Sequence, residues 1–349
     1  MNRRISNASY FMRIVMQPLF LMLALLPLST LTQAQPNIAQ LLEINQSMVQ
    51  ISVDLGKGVI GTGSGVVVSE QHVITNCHVL ANAKGVNVAK YNDGYKPIAM
   101  KADWKHDLCL LIFDNLPFKS VPMRDSASLQ YEDEVIVVSY PNDNNVPQPS
   151  YGNIKAIYPY DDSVILRSNA PFSLGSSGGA MFDRDFHLIG ITTFKSPGRN
   201  AYFYSMPVEW IRKLFDAKDT LSLETNEIPL WALPEAERPF FMRVVIPYQN
   251  EDWTGLERIA NEWLSREPDN ADACYYLSLA ERSLNKADRA TEHLAKAIKL
   301  NPRHLDAQVM MAMQVIETGD RAGAARILDV VRTIDAEAAE KLSALIEHH

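Results

Sequence analysis

Between Met48 and Met206 the chain is a succession of short apolar runs, with no amphipathic helical stretch between them. Such runs stand at 66–68, 73–75, 86–88, 98–100, 108–113, 135–139, 153–157, 164–167, 188–194 and 202–206. Turn signals separate them, among them Asn92-Asp93-Gly94 and Pro141-Asn142-Asp143-Asn144-Asn145. Chains of many short strands and no crossover helices close into barrels or sandwiches, here over about 170 residues. Residues 35–50 carry apolar positions at helical spacing and predict a short leading helix. Residues 208–217 place Trp210, Ile211, Leu214 and Phe215 on one side and predict a closing helix.

Inside this β pattern lies Gly175-Ser176-Ser177-Gly178-Gly179. Small residues in a run are usually a turn or a linker. A linker, however, is not normally clamped between strand-like runs, and this one lies between Val164-Ile165-Leu166 and Ala180-Met181-Phe182. A tight loop presenting a nucleophile is. An uncharged serine is a weak nucleophile and needs a base in hydrogen-bond reach, itself oriented by a third group. His78 ends one strand-like run and Asp107 begins another, so the chain offers His, Asp and Ser177 in that order, at gaps of 29 and 70 residues. Each alone has an ordinary structural reading; the three together predict a nucleophilic triad.

On Gly63-Ser64-Gly65-Val66-Val67-Val68, Thr75-Asn76-Cys77-His78-Val79, Asp107-Leu108-Cys109-Leu110-Leu111, Gly175-Ser176-Ser177-Gly178-Gly179-Ala180 and Leu188-Ile189-Gly190-Ile191, residues 50–215 resemble the trypsin/chymotrypsin-type serine peptidases. Within that group they are most similar to the bacterial high-temperature-requirement kind. The resemblance implies a multidomain chain whose peptidase part, residues 35–218, is an all-β double barrel of six strands each, with the site in the cleft between them. It implies that Ser177 attacks, His78 moves the proton, Asp107 orients His78, and the N–H groups of Gly175 and Ser177 form an oxyanion hole. Thr193 matches a family position whose hydroxyl supports the triad aspartate, although an ordinary strand threonine reads equally well. Thr193, Phe194 and Lys195 are the expected substrate-binding positions. Two departures bear on specificity. Pro171 stands where basic-specific relatives carry an aspartate, so cleavage after Lys or Arg is not supported. Lys195 stands where glycine is common; it either narrows the groove or selects acidic side chains, unless it is a solvated loop lysine. No PDZ-like domain follows.

Residues 219–238 are polar and carry Pro229 and Pro234, which reads as a linker. Residues 239–349 then change period. Pro268 and Pro302 are 34 residues apart, and Ala290, Leu294 and Ala297 recur one period later as Ala324, Leu328 and Val331. A 34-residue helical period with small residues at crossings is the tetratricopeptide signature. The first unit is interrupted by Pro239 and Pro247, and 336–346 reads as a capping helix. This all-α region is the expected surface for a protein partner or substrate.

Arg3, Arg4 and Arg13 precede an apolar run at 18–31 and then Thr32-Gln33-Ala34. A positive head, a short apolar core and small residues predict a signal peptide over 1–34, hence a periplasmic or secreted protein with no stable membrane insertion after cleavage. The alternative is an inner-membrane anchor formed by the uncleaved segment. A net charge of −8 with no basic block argues against a nucleic-acid partner. Cys77 and Cys109 flank the predicted base and acid, and read either as a bridge or as two small buried hydrophobes; Cys274 reads as core. The eight histidines show no ligand spacing, so neither a metal nor another cofactor is expected, and His348-His349 reads as tail. The predicted function is a serine endopeptidase acting on proteins or peptides; the alternative is a silent peptidase-fold scaffold.

Overall fold

The first strand alternates, unlike the more deeply buried strands of its sheet. In β1 (Met48–Asp54) Val49, Ile51 and Val53 are buried and Gln50 and Ser52 only partly, the period-2 pattern of a strand with one core face. The computed structural model describes residues 38–348 except Asn92, Arg199, Asn200, Thr220, Leu221 and Glu224. The predicted 1–34 signal segment lies outside the described residues, as does His349.

A leading helix α1 (Ile38–Asn45) precedes β1. Then come β2 (Ile60–Ser69), β3 (His72–Thr75), a one-turn helix α2 (Cys77–Leu80), β4 (Gly85–Lys90), β5 (Asp93–Tyr95), β6 (Ala99–Asp103) and β7 (Leu108–Ile112). The second half holds β8 (Glu134–Ser139), β9 (Gln148–Tyr160), β10 (Ser163–Ser168), β11 (Ala180–Phe182), β12 (Leu188–Lys195), β13 (Phe203–Pro207) and the closing helix α3 (Val208–Phe215). All ladders between these strands are antiparallel. The second half closes in the order β10-β13-β12-β11-β8-β9, a six-stranded barrel.

The first half differs from the expected second copy of that barrel. It is a seven-stranded sheet in the order β5-β4-β1-β2-β3-β7-β6, with no ladder joining its ends among the described residues. β5 is three residues long and pairs only with β4, so it has no length left to reach β6. The sheet buries both faces. Val67, Val73, Cys109 and Leu111 pack with Ile51 and Val53, while Val66, Ile74, Leu108 and Leu110 join a larger core that includes the barrel. Two buried faces are why these strands read as unbroken apolar runs.

β4 carries a buried cation. The Lys90 ammonium donates to the carbonyls of Asn45 and Met48, tying the sheet to the end of α1. Burial pushes its pKa from 10.5 down to about 8. Between those two values the unfolded chain holds more protons than the folded one, so folding stability should rise as pH climbs through this window. Chemical unfolding at a series of pH values checks it: the wild type should gain stability relative to Lys90→Met from pH 8 to pH 10.

The C-terminal third is helical. Two short helices, α4 (Phe240–Arg243) and α5 (Val245–Gln249), follow Pro239 and contain Pro247. Then come α6 (Trp253–Arg266), α7 (Ala271–Ser283), α8 (Ala287–Leu300), α9 (Leu305–Glu317), α10 (Arg321–Ile334) and α11 (Ala336–His348). Helices α6, α8 and α10 begin at Trp253, Ala287 and Arg321, 34 residues apart each time, and α7 and α9 keep the same step. The caps repeat too: Asp252 accepts from Gly255 N–H and Asp320 from Gly323 N–H.

Sheet, barrel and helices form one compact unit. Phe241 stacks on Tyr158 of β9 at 4.2 Å and 6°, and Trp263 lies at 6.3 Å from the same ring. Buried Asp272 of α7 accepts from Tyr131 Oη–H at 2.5 Å, and Arg303 donates from Nε to Tyr131 O at 2.9 Å. Part of the helical surface expected to recruit partners is therefore covered by the chain's own barrel. Within the segment read as a linker, the described residues make fixed contacts rather than a free crossing. The segment holds 3-10 turns at Leu230–Ala232 and Glu235–Glu237, and Leu230 is fully buried. Leu223 O accepts from Asn82 N–H at 2.8 Å and Leu230 N–H donates to Lys105 O at 3.1 Å.

Candidate active site

Asp107 anchors the site. It opens the turn into β7, is completely buried, and has a left-handed backbone with φ 60°, a conformation aspartate adopts more readily than most side chains. Its Oδ1 accepts the backbone N–H of His78 at 2.7 Å, and its Oδ2 lies 2.6 Å from His78 Nδ1. A carboxylate partner makes Nδ1 the protonated nitrogen of neutral His78, which leaves Nε2 with the free lone pair. The side chains are 29% and 1% exposed, so the pair has a wet end at the imidazole and a dry end at the carboxylate.

The Cys77–Cys109 pair is bridged, which settles the alternative left by the sequence. The bridge joins the one-turn helix that carries His78 to the strand that follows Asp107. With a sequence separation of 32 between its ends, its removal should cost about 3–4 kcal/mol by loop entropy. Urea unfolding of a Cys77→Ala/Cys109→Ala chain beside the oxidised wild type measures it.

Ser177 sits in a loop held from both β halves. From β2, Ser64 N–H donates to Ser177 O at 2.8 Å and Ser64 Oγ–H to Gly175 O at 2.8 Å; Ser64 Oγ itself accepts from Tyr140 N–H. From β12, Thr192 Oγ–H donates to Ser176 O at 2.7 Å, and Gly178 N–H donates back to Thr192 O at 2.9 Å. Gly175 and Gly178 have φ of 85° and 86°, and a Cβ at 178 would meet Ser64 O at 2.1 Å. The N–H groups of Gly175 and Ser177 donate to no protein acceptor among the described residues. Ser177 Oγ makes no hydrogen bond to His78, a contact that often tightens only around bound substrate.

His78, Gly175, Ser177, Thr193, Phe194 and Lys195 all line one cleft of about 330 Å³. Its walls are otherwise mostly apolar, from Val53, Leu55 and Val79 on the sheet side to Phe172 and Leu174 on the barrel side. Lys195 is exposed at this cleft, while Phe194 is buried and stacks on Tyr204 at 4.5 Å. Pro171 is exposed and does not line the cleft. Thr193 does not reach the Asp107 carboxylate. Its hydroxyl donates to Ile191 O at 2.9 Å and accepts from Asn76 Nδ2 at 3.1 Å, and the same Nδ2 donates to Asp107 O at 2.8 Å. The strand places it two hydrogen bonds away, so its support reaches only the aspartate's backbone.

The carboxylate has a different third donor. Trp231 Nε1–H donates to Asp107 Oδ2 at 2.9 Å, and the indole meets the His78 ring edge-on at 5.3 Å. Trp231 lies in the segment read as a linker, within the short apolar run Leu230-Trp231-Ala232-Leu233 between two prolines, the one local signal that could have singled it out. Ser64 was legible as part of a glycine-flanked motif, though not as the brace of the serine loop. Among the described residues, Asp183, Asp185 and His187 approach one another at metal-ligand spacing, but Asp183 is already paired with Arg124 at 2.9 Å.

Residues 63–191 match the trypsin-like peptidase domain family. Over 154 residues the chain is 32% identical to a probable periplasmic serine endoprotease, DegP-like, of Rickettsia prowazekii, covering 41% of this chain and 28% of that protein. Over 149 residues it is 31% identical to the serine endoprotease DegS of Haemophilus influenzae, covering 40% of this chain and 43% of that one. The chain thus spans less than half the length of these relatives. A solved serine endoprotease from Yersinia pestis superposes with a TM-score of 0.47 at 21% identity, over 53% of this chain and 67% of that one. Residues 63–191 are thus similar to a trypsin-like peptidase domain, and a helical C-terminal third follows them.

Proposed function

We propose that the chain is a serine endopeptidase. Ser177 Oγ attacks the carbonyl carbon of a peptide bond while His78 Nε2 takes its proton. The oxyanion that forms is held by the N–H groups of Gly175 and Ser177, each such donor being worth roughly 100- to 1000-fold in rate. His78 returns the proton to the leaving amine, and water repeats the sequence to free the acid. Asp107 keeps the imidazole in the required tautomer and stabilises it when charged. The observation that carries this reading is His78, held on a buried carboxylate, lining one cleft with Ser177 and two undonated backbone N–H groups.

The apolar walls and the absence of a carboxylate among the lining residues favour substrates with apolar side chains at the cut. Periplasmic action is supported by the name of the Rickettsia relative, by the signal-like segment and by a disulfide, which persists in oxidising compartments. The helices, read as tetratricopeptide-type repeats, hold a protein partner or substrate on the surface that the barrel leaves uncovered. A mixed peptide library treated with the full chain tests the reading. Cuts should follow apolar residues and vanish in Ser177→Ala; cuts after Lys or Arg would contradict the specificity, and persistence in the variant would contradict the mechanism. The absent Ser177–His78 hydrogen bond, with the unusual Pro171 and Lys195, favours the alternative of a silent scaffold, which predicts an intact library.

A further inference from the structure

Asp107 is buried, and a buried carboxylate needs all its strong acceptor positions filled. Oδ1 takes the His78 backbone N–H, so the charge on Oδ2 is shared between His78 Nδ1–H and Trp231 Nε1–H. Trp231 is placed by a chain of fixed contacts. The Leu230 N–H bond to Lys105 O and the burial of Leu230 register the 3-10 turn beside Asp107. Phe194 lies against the indole at 6.0 Å, almost parallel. Eight residues on, Pro239 starts the helices, and Phe241 is clamped on Tyr158 and Tyr204. The turn is therefore held at one end by the sheet and at the other by the docked helices.

We propose that Trp231 is a positioning residue of the triad: its indole N–H holds Asp107 Oδ2 toward His78, so that the docking of the helical third sets the reactivity of Ser177. This rests on the peptidase reading above. Without the N–H, the full charge of Oδ2 bears on His78 Nδ1–H and the carboxylate is freer to turn. Two effects separate. The imidazole holds its proton to higher pH, and the pair spends less time aligned. A tryptophan that served only as apolar cover would produce neither change when its ring is kept. The other charged groups around the pair are Lys195 at the cleft, and Lys105 and His106 just before Asp107. Lys105 and His106 are both occupied by Asp161, and His106 also by Asp103, so neither replaces the lost donor.

The test compares the full chain with Trp231→Phe, and with a chain carrying the sulfur isostere of tryptophan at 231, which keeps the bicyclic ring and lacks only the N–H. Inactivation by a fluorophosphonate is followed against pH. The acid limb should move to higher pH in both altered chains, and the plateau rate should fall about tenfold, the effect of losing one hydrogen bond to a charged group. A limb that superimposes on the wild type overturns the proposal, even where the plateau falls. Proton NMR of the His78 Nδ1–H signal reads the same bond without activity. It should move downfield in both chains, and an unmoved signal in the isostere chain overturns the proposal. A wild type that never reacts with the fluorophosphonate refutes the peptidase reading, while the NMR arm still decides the role of Trp231.

Discussion

Truncated after Ala217, the chain should fail to hold the peptidase fold. The closing helix α3 ends the β region in sequence but not in space. Leu230, Phe241, Trp263 and Tyr276 share one core with Tyr158, Tyr204 and Phe194 of the barrel. Burying a large apolar side chain is worth about 1.5–3 kcal/mol, and several are uncovered on each side. Their sum is on the order of 10 kcal/mol, comparable with the whole stability of a typical domain. Arg167 makes the loss worse. It is buried, with its guanidinium 4.6 Å from the Tyr202 ring and its Nη1 3.3 Å from Tyr276 Oη, and truncation removes the latter partner. Urea unfolding followed by tryptophan fluorescence and limited proteolysis measures the effect. The full chain should unfold in one transition, and the truncated chain should aggregate or be digested without added urea. An independently stable truncated chain would show that the helices only lean on the barrel. Phe241→Ala is the milder version and should cost about 3–5 kcal/mol.

Asp107→Asn should lower peptide hydrolysis by roughly ten-thousandfold at neutral pH. The carboxylate takes donors from His78 N, His78 Nδ1 and Trp231 Nε1, and has none to give. An amide offers one oxygen and a competing NH₂. Whichever way it turns, either His78 Nδ1 faces a donor and takes the other tautomer, or the His78 backbone N–H loses its acceptor. Steady-state hydrolysis by wild type and variant reads the loss, with circular dichroism to check that the fold persists. Activity within tenfold of the wild type would remove Asp107 from the mechanism.

The candidate triad residues, which the structure brings to one cleft beside the His78–Asp107 pair, were legible because each lies in a local pattern that such chemistry would impose. A serine loop must turn tightly, so it shows glycines; a base and its orienting acid sit at strand ends, so they border apolar runs. The 34-residue helical step was legible for a similar reason, since stacked helix pairs repeat their buried positions. Contacts made by tertiary docking left no such trace. Trp231 gains its place beside Asp107 from where Leu230 and Phe241 are pinned, and the proline-bearing segment around it read as a linker. Thr193 was assigned by position, yet Asn76 stands between it and Asp107. The Cys77–Cys109 bridge could not be decided from spacing, because spacing alone gives no distance. Closure of the first sheet depends on whether its end strands meet, and β5 is too short to do so.

The central claim is that Ser177 is a nucleophile made reactive by His78 and Asp107. Incubation of the folded, disulfide-bridged full chain with a fluorophosphonate, followed by peptide mass spectrometry, tests it most directly. The account predicts one adduct per chain, on Ser177, absent from Ser177→Ala and strongly slowed in Asp107→Asn. A folded chain that forms no adduct, or forms it on another serine, would contradict it.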